Sequence, residues 1–469
     1  MKYDAIIVGT GFASTFFLHR WLQAAPPSAR VLVLERGVER TTDWRLANKF
    51  QLFEQARSSF DNRTDEKEWL FTLAFGGSSN CWWACTPRFL PEDFELKSRY
   101  GVGADWPLDY DALEPYYVEA ERLLGVGGGR APWKMSAPYP NPPHRMCTPG
   151  KLLAKADPAH WFPQPTARAS GAQAGRKLCC NNGVCHLCPI DSKFSISNSM
   201  RAPYADPRVT VQLGSEVLQV ETSAGVASGV VYRRNSREET AESDLVALGA
   251  NAIFNAQLLL NSGLGEGGVG QHLHEQAGVY LVAELDGVSG FDGGTSISAL
   301  GYPLYAGEHR RSRAGAHIEF RNSPPHLRPT DGRWRERLVL KLVFEDHAVP
   351  GSRVEAGERP IVTWGGHSPQ TVAGLDAARE LALEAIAALP VESVTVLKKD
   401  PTEAHILGTA RMGTDPTSSV VDDGLRHHRL RNLFVLGTSA FPASGPANPT
   451  LTMCASVLRA VDKATGSAR

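Results

Sequence analysis

Four cysteines lie close together in the chain, at Cys179, Cys180, Cys185 and Cys188. Thiolates in such a cluster can converge on a soft metal centre or carry electrons. Cys179 and Cys180 are adjacent, which disfavours zinc, because zinc ligands in one pair are usually spaced more widely. The cluster therefore predicts metal or redox chemistry, with free thiols, a disulfide or zinc as alternatives.

A glycine-rich turn near the start of the chain has the spacing of a dinucleotide-binding site. It follows the apolar, β-prone residues 3–8. Gly9 permits a tight turn, Gly11 lets the backbone approach a pyrophosphate at a helix N-terminus, and Ser14 is small enough for close helix–strand packing. Glu35 lies about 20 residues beyond the turn, where such folds place the acid that binds a ribose hydroxyl. This combination predicts a nucleotide cofactor but does not separate FAD from NAD.

The hydrophobic patterns place this turn at the start of an α/β fold. Apolar runs predict strands over residues 31–34, 209–213 and 244–248. Helical patterns cover residues 15–25, 105–124, 252–260 and 375–388. Several β segments between residues 279 and 345 predict a second lobe with an antiparallel sheet. A chain of 469 residues is long enough for two lobes.

Composition excludes some classes of function and sets an expectation for location. The 49 basic and 50 acidic residues give a formal net charge of −1, so no basic surplus favours nucleic acid. No apolar run is long enough to predict a transmembrane segment. The first residues lead directly into a strand without a separate basic and apolar leader. We therefore expect a cytoplasmic protein, with export alongside a partner subunit as the alternative.

Segments at both ends of the chain resemble the glucose–methanol–choline (GMC) oxidoreductase family. Residues 405–413 read His-x-x-Gly-Thr-x-x-Met-Gly, and Asn448-Pro449-Thr450 follows. The loop from Gly76 to Asn80 is similar to the family's flavin-contacting loop. The resemblance is nearest to the pyranose 2-oxidase and FAD-dependent glucose dehydrogenase branch, and it fades between residues 277 and 400.

The resemblance implies oxidation of an alcohol by hydride transfer to FAD. A neutral histidine suits the role of base because its pKa lies near working pH. The family pattern implies that His405 is that base and that Asn448 hydrogen-bonds the same hydroxyl. Together they would hold the carbinol hydrogen towards the flavin N5 atom, and alignment would supply much of the rate.

The same resemblance gives a set of FAD-binding residues from all parts of the chain. They are Gly9, Thr10, Gly11, Phe12, Ala13, Ser14, Glu35, Arg36, Gly76, Gly77, Ser78, Asn80, Cys81, Val217, Ala250, Gly437, Thr438, Asn448, Pro449 and Thr450. In the pyranose-oxidising branch, a histidine can join the flavin covalently from the flavin-contacting loop. Cys81 stands at that position here. We therefore expect non-covalent FAD.

The resemblance to the same branch implies a specific function for the cysteine cluster. Catalytic subunits of FAD-dependent glucose dehydrogenases hold a three-iron cluster on an adjacent cysteine pair and the next cysteine. The matching positions are Cys179, Cys180 and Cys185, with Cys188 nearby. An iron–sulfur cluster there would relay electrons from the flavin to an external redox partner, which would make the protein a dehydrogenase.

The predicted organisation is a discontinuous FAD-binding domain of Rossmann type with a second α+β domain that binds substrate. The FAD-binding domain comprises residues 1–95, 175–276 and 396–469, and the substrate-binding domain and cap comprise residues 96–174 and 277–395. The predicted function is FAD-dependent oxidation of an alcohol group on a sugar, glycoside or other polyol. Alternatives are an oxygen-using oxidase of the same family, an FAD-containing lyase of the hydroxynitrile type, and a non-catalytic electron carrier.

Overall fold

The computed structural model describes residues 2–48, 55–173, 175–181, 187–290, 292–322 and 334–466. Within them the chain forms one parallel sheet, one large antiparallel sheet and two smaller sheets. This mixed α/β architecture confirms the fold class predicted from the sequence.

The parallel sheet has five strands. In spatial order they are Leu433–Val435, Val246–Leu248, Ala5–Val8, Val31–Glu35 and Val209–Leu213. The first four of these are buried along their whole length. Burial on both faces explains why they read as continuous apolar runs in the sequence.

A tight turn connects the central strand Ala5–Val8 to the helix Phe12–Ala24. Gly9 in this turn has φ +87°, and a Cβ there would lie 2.7 Å from the carbonyl oxygen of Gly249. The position therefore requires glycine for both conformation and space. The helix begins earlier than the predicted start at residue 15, because the backbone is already helical immediately after Gly11.

The other helices connect and cover the sheets. The helix predicted from residue 105 begins at Tyr110, because the Asp109 side chain caps it by accepting the N–H of Ala112 at 2.8 Å. The helix predicted over residues 375–388 is two shorter helices, the first capped by Ser368. The helices are Thr42–Asn48, Leu96–Tyr100, Tyr110–Leu124, Thr148–Ala156, Ile196–Ser199, Asn251–Asn261, Pro369–Asp376, Ala378–Ala385 and Thr450–Thr465. Among the described residues, no helix combines the length and apolar character needed to cross a bilayer.

The large antiparallel sheet has six strands. In order they are Val391–Asp400, Ala277–Leu285, Arg337–Phe344, Ala316–Arg321, Ile297–Gly301 and Trp161–Pro163. One face packs Val279, Leu281 and Ala283 against the helix Ala378–Ala385. Since strand side chains alternate between faces, residues at the intervening positions, such as Tyr280, lie on the other face.

Two smaller sheets complete the described structure. The four-stranded sheet contains Lys2–Tyr3, Arg237–Ser243, Val226–Arg234 and Ser215–Ser223, and the three-stranded sheet contains Arg353–Glu355, Ile361–Thr363 and Asp61–Asn62. The strand Val391–Asp400 runs across the boundary that the sequence suggested between residues 395 and 396. The division into two domains stays a proposal.

A buried ionic network ties the antiparallel sheet to the loop that precedes the C-terminal helix. The guanidinium of Arg310 pairs with Asp93 at 2.8 Å and also with Glu345. Tyr305 donates its hydroxyl proton to Asp93 at 2.6 Å, and its oxygen lies 3.4 Å from the backbone nitrogen of Ala447. The network therefore fixes the chain just before Asn448.

Candidate active site

A cavity of 1040 Å³ is lined by the turns of the parallel sheet and by one face of the antiparallel sheet. It gathers predicted site residues from both ends of the chain. The predicted residues that line it are Gly9, Thr10, Gly11, Phe12, Ala13, Glu35, Arg36, Gly77, Ser78, Cys81, Val217, Ala250, His405, Gly437, Thr438, Asn448, Pro449 and Thr450. The cavity is thus the candidate active site.

The start of the first helix offers a cradle for an anionic group. A Cβ added to Gly11 would meet no atom within 4 Å, so the backbone there borders open space. Gly77 approaches from a second loop, and a Cβ on it would lie 3.0 Å from the Cα of Gly11. The first amides of the helix Phe12–Ala24 have no side-chain cap. Free amides beside open space fit the pyrophosphate of FAD.

Glu35 lies at the end of its strand on the cavity wall. One carboxylate oxygen accepts the N–H and the hydroxyl proton of Thr10, at 3.0 and 2.7 Å, and the other accepts the N–H of Gly37 at 2.7 Å. Burial raises the pKa of Glu35, and these hydrogen bonds oppose that rise. Because a carboxylate has further lone pairs, this arrangement fits a ribose hydroxyl as an added donor.

Three of the predicted cofactor residues do not line the cavity but bond the segments that do: Ser14, Gly76 and Asn80. Ser14 donates to the carbonyl of Val8 at 2.9 Å, which locks the helix against the strand. The N–H of Gly76 donates to the Thr10 hydroxyl at 3.0 Å, and the Asn80 amide bonds its own loop. Their roles in the structure are to shape the two loops that meet at the cavity.

Cys81 lines the cavity at the position where the sequence raised the question of a covalent flavin. Burial raises the pKa of its thiol, while nearby Lys193, Thr72 and Arg45 act in the opposite direction. A protonated thiol is a weak nucleophile. Non-covalent attachment of FAD stays a prediction.

The cysteine cluster is only partly described. Cys185 lies outside the described residues. Cys180 is exposed, the Cys179 thiol lies 3.8 Å from the carbonyl oxygen of Gly294, and the Cys188 sulfur accepts the N–H of Ser192 at 3.2 Å. In the part of the chain that the structure describes, no group of three histidine, cysteine or acidic residues is placed to hold a metal ion. The iron–sulfur site stays a prediction.

His405 is held by two consecutive residues that precede the strand Ala277–Leu285. Its backbone N–H donates to Glu275 at 2.9 Å, and its ring Nδ1 lies 2.6 Å from Oε1 of Gln276. Gln276 donates from Nε2 to the carbonyls of Gly445 and Ala447, at 2.6 and 2.9 Å. Only the amide nitrogen can donate, so its oxygen must face the histidine.

This arrangement determines which ring nitrogen of His405 carries the proton. Since the Gln276 oxygen is an acceptor, Nδ1 must donate to it, and Nε2 is left unprotonated. Burial lowers the pKa of His405 to about 4, although neighbouring Glu275 and Glu319 partly oppose the shift. The imidazole is therefore neutral near pH 7 and can accept a proton at Nε2.

Asn448 lines the same cavity from the loop before the helix Thr450–Thr465. Its side chain is buried, and Oδ1 has no hydrogen-bond partner among the described residues. A buried acceptor without a partner is costly unless a ligand satisfies it. Gln276 therefore bonds both His405 and the loop that carries Asn448. No sequence motif predicted this link.

Charged side chains, which no sequence motif predicted, line the part of the cavity formed by the antiparallel sheet. They are Glu319, Arg321, Lys341, Lys398, Asp400 and Glu403. One signal was available in the sequence, since His317, Glu319 and Arg321 alternate with apolar residues and must share one face of a strand.

The C-terminal part of the chain matches a known protein family. Residues 367–456 match the family model described as GMC oxidoreductase. Residues 367–456 therefore form a C-terminal domain of the GMC oxidoreductase type, which confirms the resemblance seen in the sequence. The chain is an FAD-dependent oxidoreductase that acts on CH–OH donors, and the cavity described above is its candidate active site.

Relatives match nearly the whole chain at low identity. The fructose dehydrogenase large subunit of Gluconobacter japonicus is 24% identical, and the match covers 98% of this chain and 97% of the relative. Paromamine 6'-oxidase of Streptomyces fradiae is 28% identical over 99% of this chain and 91% of the relative. The 2-methyl-1,2-propanediol dehydrogenase of Mycolicibacterium austroafricanum is 26% identical, with 82% of this chain and 80% of the relative covered.

Solved structures confirm the fold. Pyridoxine 4-oxidase from Mesorbium loti superposes with a TM-score of 0.67 at 18% identity, covering 98% of this chain and 99% of that chain. An FAD-dependent oxidoreductase from Chaetomium thermophilum gives a TM-score of 0.68 at 13% identity, with 98% of each chain covered. At these identities the likeness concerns the fold alone.

Proposed function

We propose that this GMC oxidoreductase is a dehydrogenase for a polyhydroxylated small molecule, with His405 as its base. The observation that carries the proposal is the fixed tautomer of His405, which leaves a neutral Nε2 without a described partner in the cavity. The relatives support the substrate class, since their names refer to fructose, paromamine and a vicinal diol.

Different residues of the chain would bind different parts of FAD. Gly9, Gly11 and the first turn of the helix Phe12–Ala24 would hold the pyrophosphate of FAD, and Glu35 would hold its ribose. When bound, FAD supplies the acceptor for the hydride that leaves the carbinol carbon. We infer that the cofactor is held without a covalent bond.

His405 and Asn448 would act on the hydroxyl group together. Nε2 of His405 takes the hydroxyl proton, and the amide nitrogen of Asn448 donates a hydrogen bond to the same oxygen. Nδ1 of His405 keeps its own proton and donates it in a hydrogen bond to the carbonyl oxygen of Gln276, which stabilises the imidazolium that results. Because the Gln276 side chain bonds both His405 and the backbone just before Asn448, the relative position of the two residues is set before the substrate arrives.

An anaerobic reduction experiment tests this proposal. Purified protein is mixed with a panel of sugars and simple alcohols, and bleaching of the flavin absorbance is followed by stopped flow. We expect His405→Ala to slow bleaching by about 1000-fold while FAD stays bound. The exposed His160 provides a matched control, and His160→Ala should bleach at the wild-type rate. Equal rates for wild type and His405→Ala would remove His405 from the mechanism.

The choice of electron acceptor rests on the relatives and has its own test. The fructose dehydrogenase large subunit and the gluconate 2-dehydrogenase flavoprotein of Pantoea cypripedii support a dehydrogenase with a partner subunit. Paromamine 6'-oxidase supports an oxidase as the second candidate. Hydrogen peroxide formed in air in equal amount to the oxidised substrate would establish the oxidase.

A further inference from the structure

A row of polar side chains crosses three adjacent strands of the antiparallel sheet. Tyr280 is the direct cross-strand partner of Lys341, and Lys341 is the direct partner of Glu319. Directly opposed residues share one face of a sheet, and all three line the cavity. Arg321 lies two residues after Glu319 and therefore on the same face.

Two buried ion pairs form on this face. Lys341 Nζ lies 2.6 Å from Glu403, and Arg321 lies 2.5 Å from Glu319. Each of the four side chains is at least nine-tenths buried. Gly278 makes room for the first pair, because a Cβ there would lie 2.1 Å from the carboxylate of Glu403.

Aromatic rings hold both cations in place. Lys341 Nζ lies 4.5 Å from the ring centre of Tyr280, and the guanidinium of Arg321 lies 4.8 Å from that of Trp83. Burying an ion costs several kcal/mol after relaxation, so apolar side chains would stabilise this sheet at least as well. The charges therefore point to a use in the cavity and not to stability.

Both ion pairs keep unused hydrogen-bonding capacity. The single hydrogen bond that Lys341 makes to a described residue goes to Glu403, which leaves ammonium protons available. Nε of Arg321 and Oε1 of Glu403 are buried and have no hydrogen-bond partner among the described residues. The face thus offers donors and acceptors side by side.

A hydroxyl group is the ligand that matches such a face, because it accepts one hydrogen bond and donates another. We propose that Tyr280, Lys341, Glu319, Arg321 and Glu403 form a recognition wall, which binds substrate hydroxyls other than the one being oxidised. This inference rests on the proposed function and adds to it the feature that selects the substrate. A monohydric alcohol can bind His405 and Asn448 but has no second hydroxyl group for the recognition wall to bind.

The recognition wall favours a neutral polyol over an anionic one. Each cation already faces a carboxylate, Lys341 with Glu403 and Arg321 with Glu319. A substrate carboxylate would therefore meet repulsion from two acids as well as attraction from two cations. A hydroxyl group uses both members of each pair without adding charge.

Lys341→Met tests the recognition wall directly. The rate of anaerobic flavin bleaching is measured against concentration for glucose, fructose, glycerol and 1,2-propanediol, with 1-propanol as the monohydric reference. We expect the variant to lose about 100-fold in efficiency with the best polyol, because buried groups built to bind a hydroxyl discriminate strongly. Its efficiency with 1-propanol should fall by less than about threefold.

Controls separate recognition from folding. Lys399→Met changes an exposed lysine of the edge strand and should behave as wild type with every alcohol. Glu319→Gln removes the other ion pair and provides an independent variant if Lys341→Met does not retain FAD. Glu319→Gln should likewise lose efficiency with polyols and not with 1-propanol.

The possible outcomes distinguish the two proposals. Three results would overturn the recognition wall while leaving the proposed function intact. The variants could lose equal efficiency with polyols and with 1-propanol, or lose none with either. The wild type could also prefer gluconate to glucose. Wild-type protein that no alcohol bleaches would instead contradict the proposed function.

Discussion

The two sides of the cavity are built from different kinds of group. On the side of the parallel sheet, Gly9, Gly11 and Gly77 offer backbone atoms, and the space depends on the absence of side chains. On the side of the antiparallel sheet, Lys341, Glu403 and their neighbours offer charged side chains held by one another. We infer from the difference that one side holds a cofactor of fixed chemistry and the other is adapted to a particular substrate.

The largest effect should come from filling the glycine cradle. Gly11→Val places a side chain in the open space at the helix start, so we expect FAD binding to weaken by more than about 100-fold. The loss of affinity is measured as the flavin content after purification and as the dissociation constant for added FAD. Gly265→Val is the control, since Gly265 is exposed and has an ordinary φ of −84°. Full flavin content in Gly11→Val would show that the pyrophosphate lies elsewhere.

A smaller effect is expected where the two sides meet, at Gln276. Gln276→Leu removes the acceptor of the His405 Nδ1 proton and leaves the Gly445 and Ala447 carbonyls without their donor. Flavin reduction should slow by about 30-fold, while FAD affinity stays unchanged. Gln276→Glu should move the acid limb of the pH profile upward, because a carboxylate stabilises the imidazolium. A merely structural role would lower FAD content and leave that limb in place.

The cysteine cluster provides a test that involves neither side of the cavity. If an iron–sulfur relay exists, Cys180→Ser should lower turnover with an external acceptor by about tenfold. Flavin reduction by substrate should not change. Iron and sulfide analysis of anaerobically purified protein gives the matching chemical evidence. Unchanged turnover in both half-reactions, or protein that lacks iron, would remove the relay.

The smallest effect should appear in the pH dependence of substrate binding. Burial raises the pKa of Glu403 to about 7, and Lys341 opposes the rise. As the pH falls through this value, the carboxylate becomes protonated and loses its place as an acceptor and as the partner of Lys341. The KM for the best polyol should therefore rise about threefold between about pH 8 and about pH 6. The KM for 1-propanol should stay constant, and a parallel rise for both alcohols would argue against the recognition wall.

The contrast between the two sides also explains what the sequence could predict. The turn with Gly9, Gly11 and Glu35 was identified because backbone geometry there restricts residue type and spacing. His405 and Asn448 were identified through the family pattern, and the structure brings both to one cavity. The resemblance to GMC oxidoreductases and the α/β fold are confirmed.

The substrate side was not predicted for a physical reason. Lys341, Glu319 and Tyr280 come from three strands, and they become neighbours only through the register of the sheet. Gln276 was also missed, since its contacts with His405 and Gly445 join segments that are distant in the chain. The predicted helix over residues 375–388 was wrong at its start, because the Ser368 cap begins a separate helix.

The pH dependence of flavin reduction tests the central claim, a neutral His405 acting as base, most directly. The rate constant for bleaching is measured anaerobically at saturating polyol from about pH 9 down to about pH 4. Because burial lowers the pKa of His405 to about 4, the rate constant should stay level through neutral pH and fall only as the lower limit is approached. A rate constant that halves near the ordinary histidine value of about 6.5 would contradict the account.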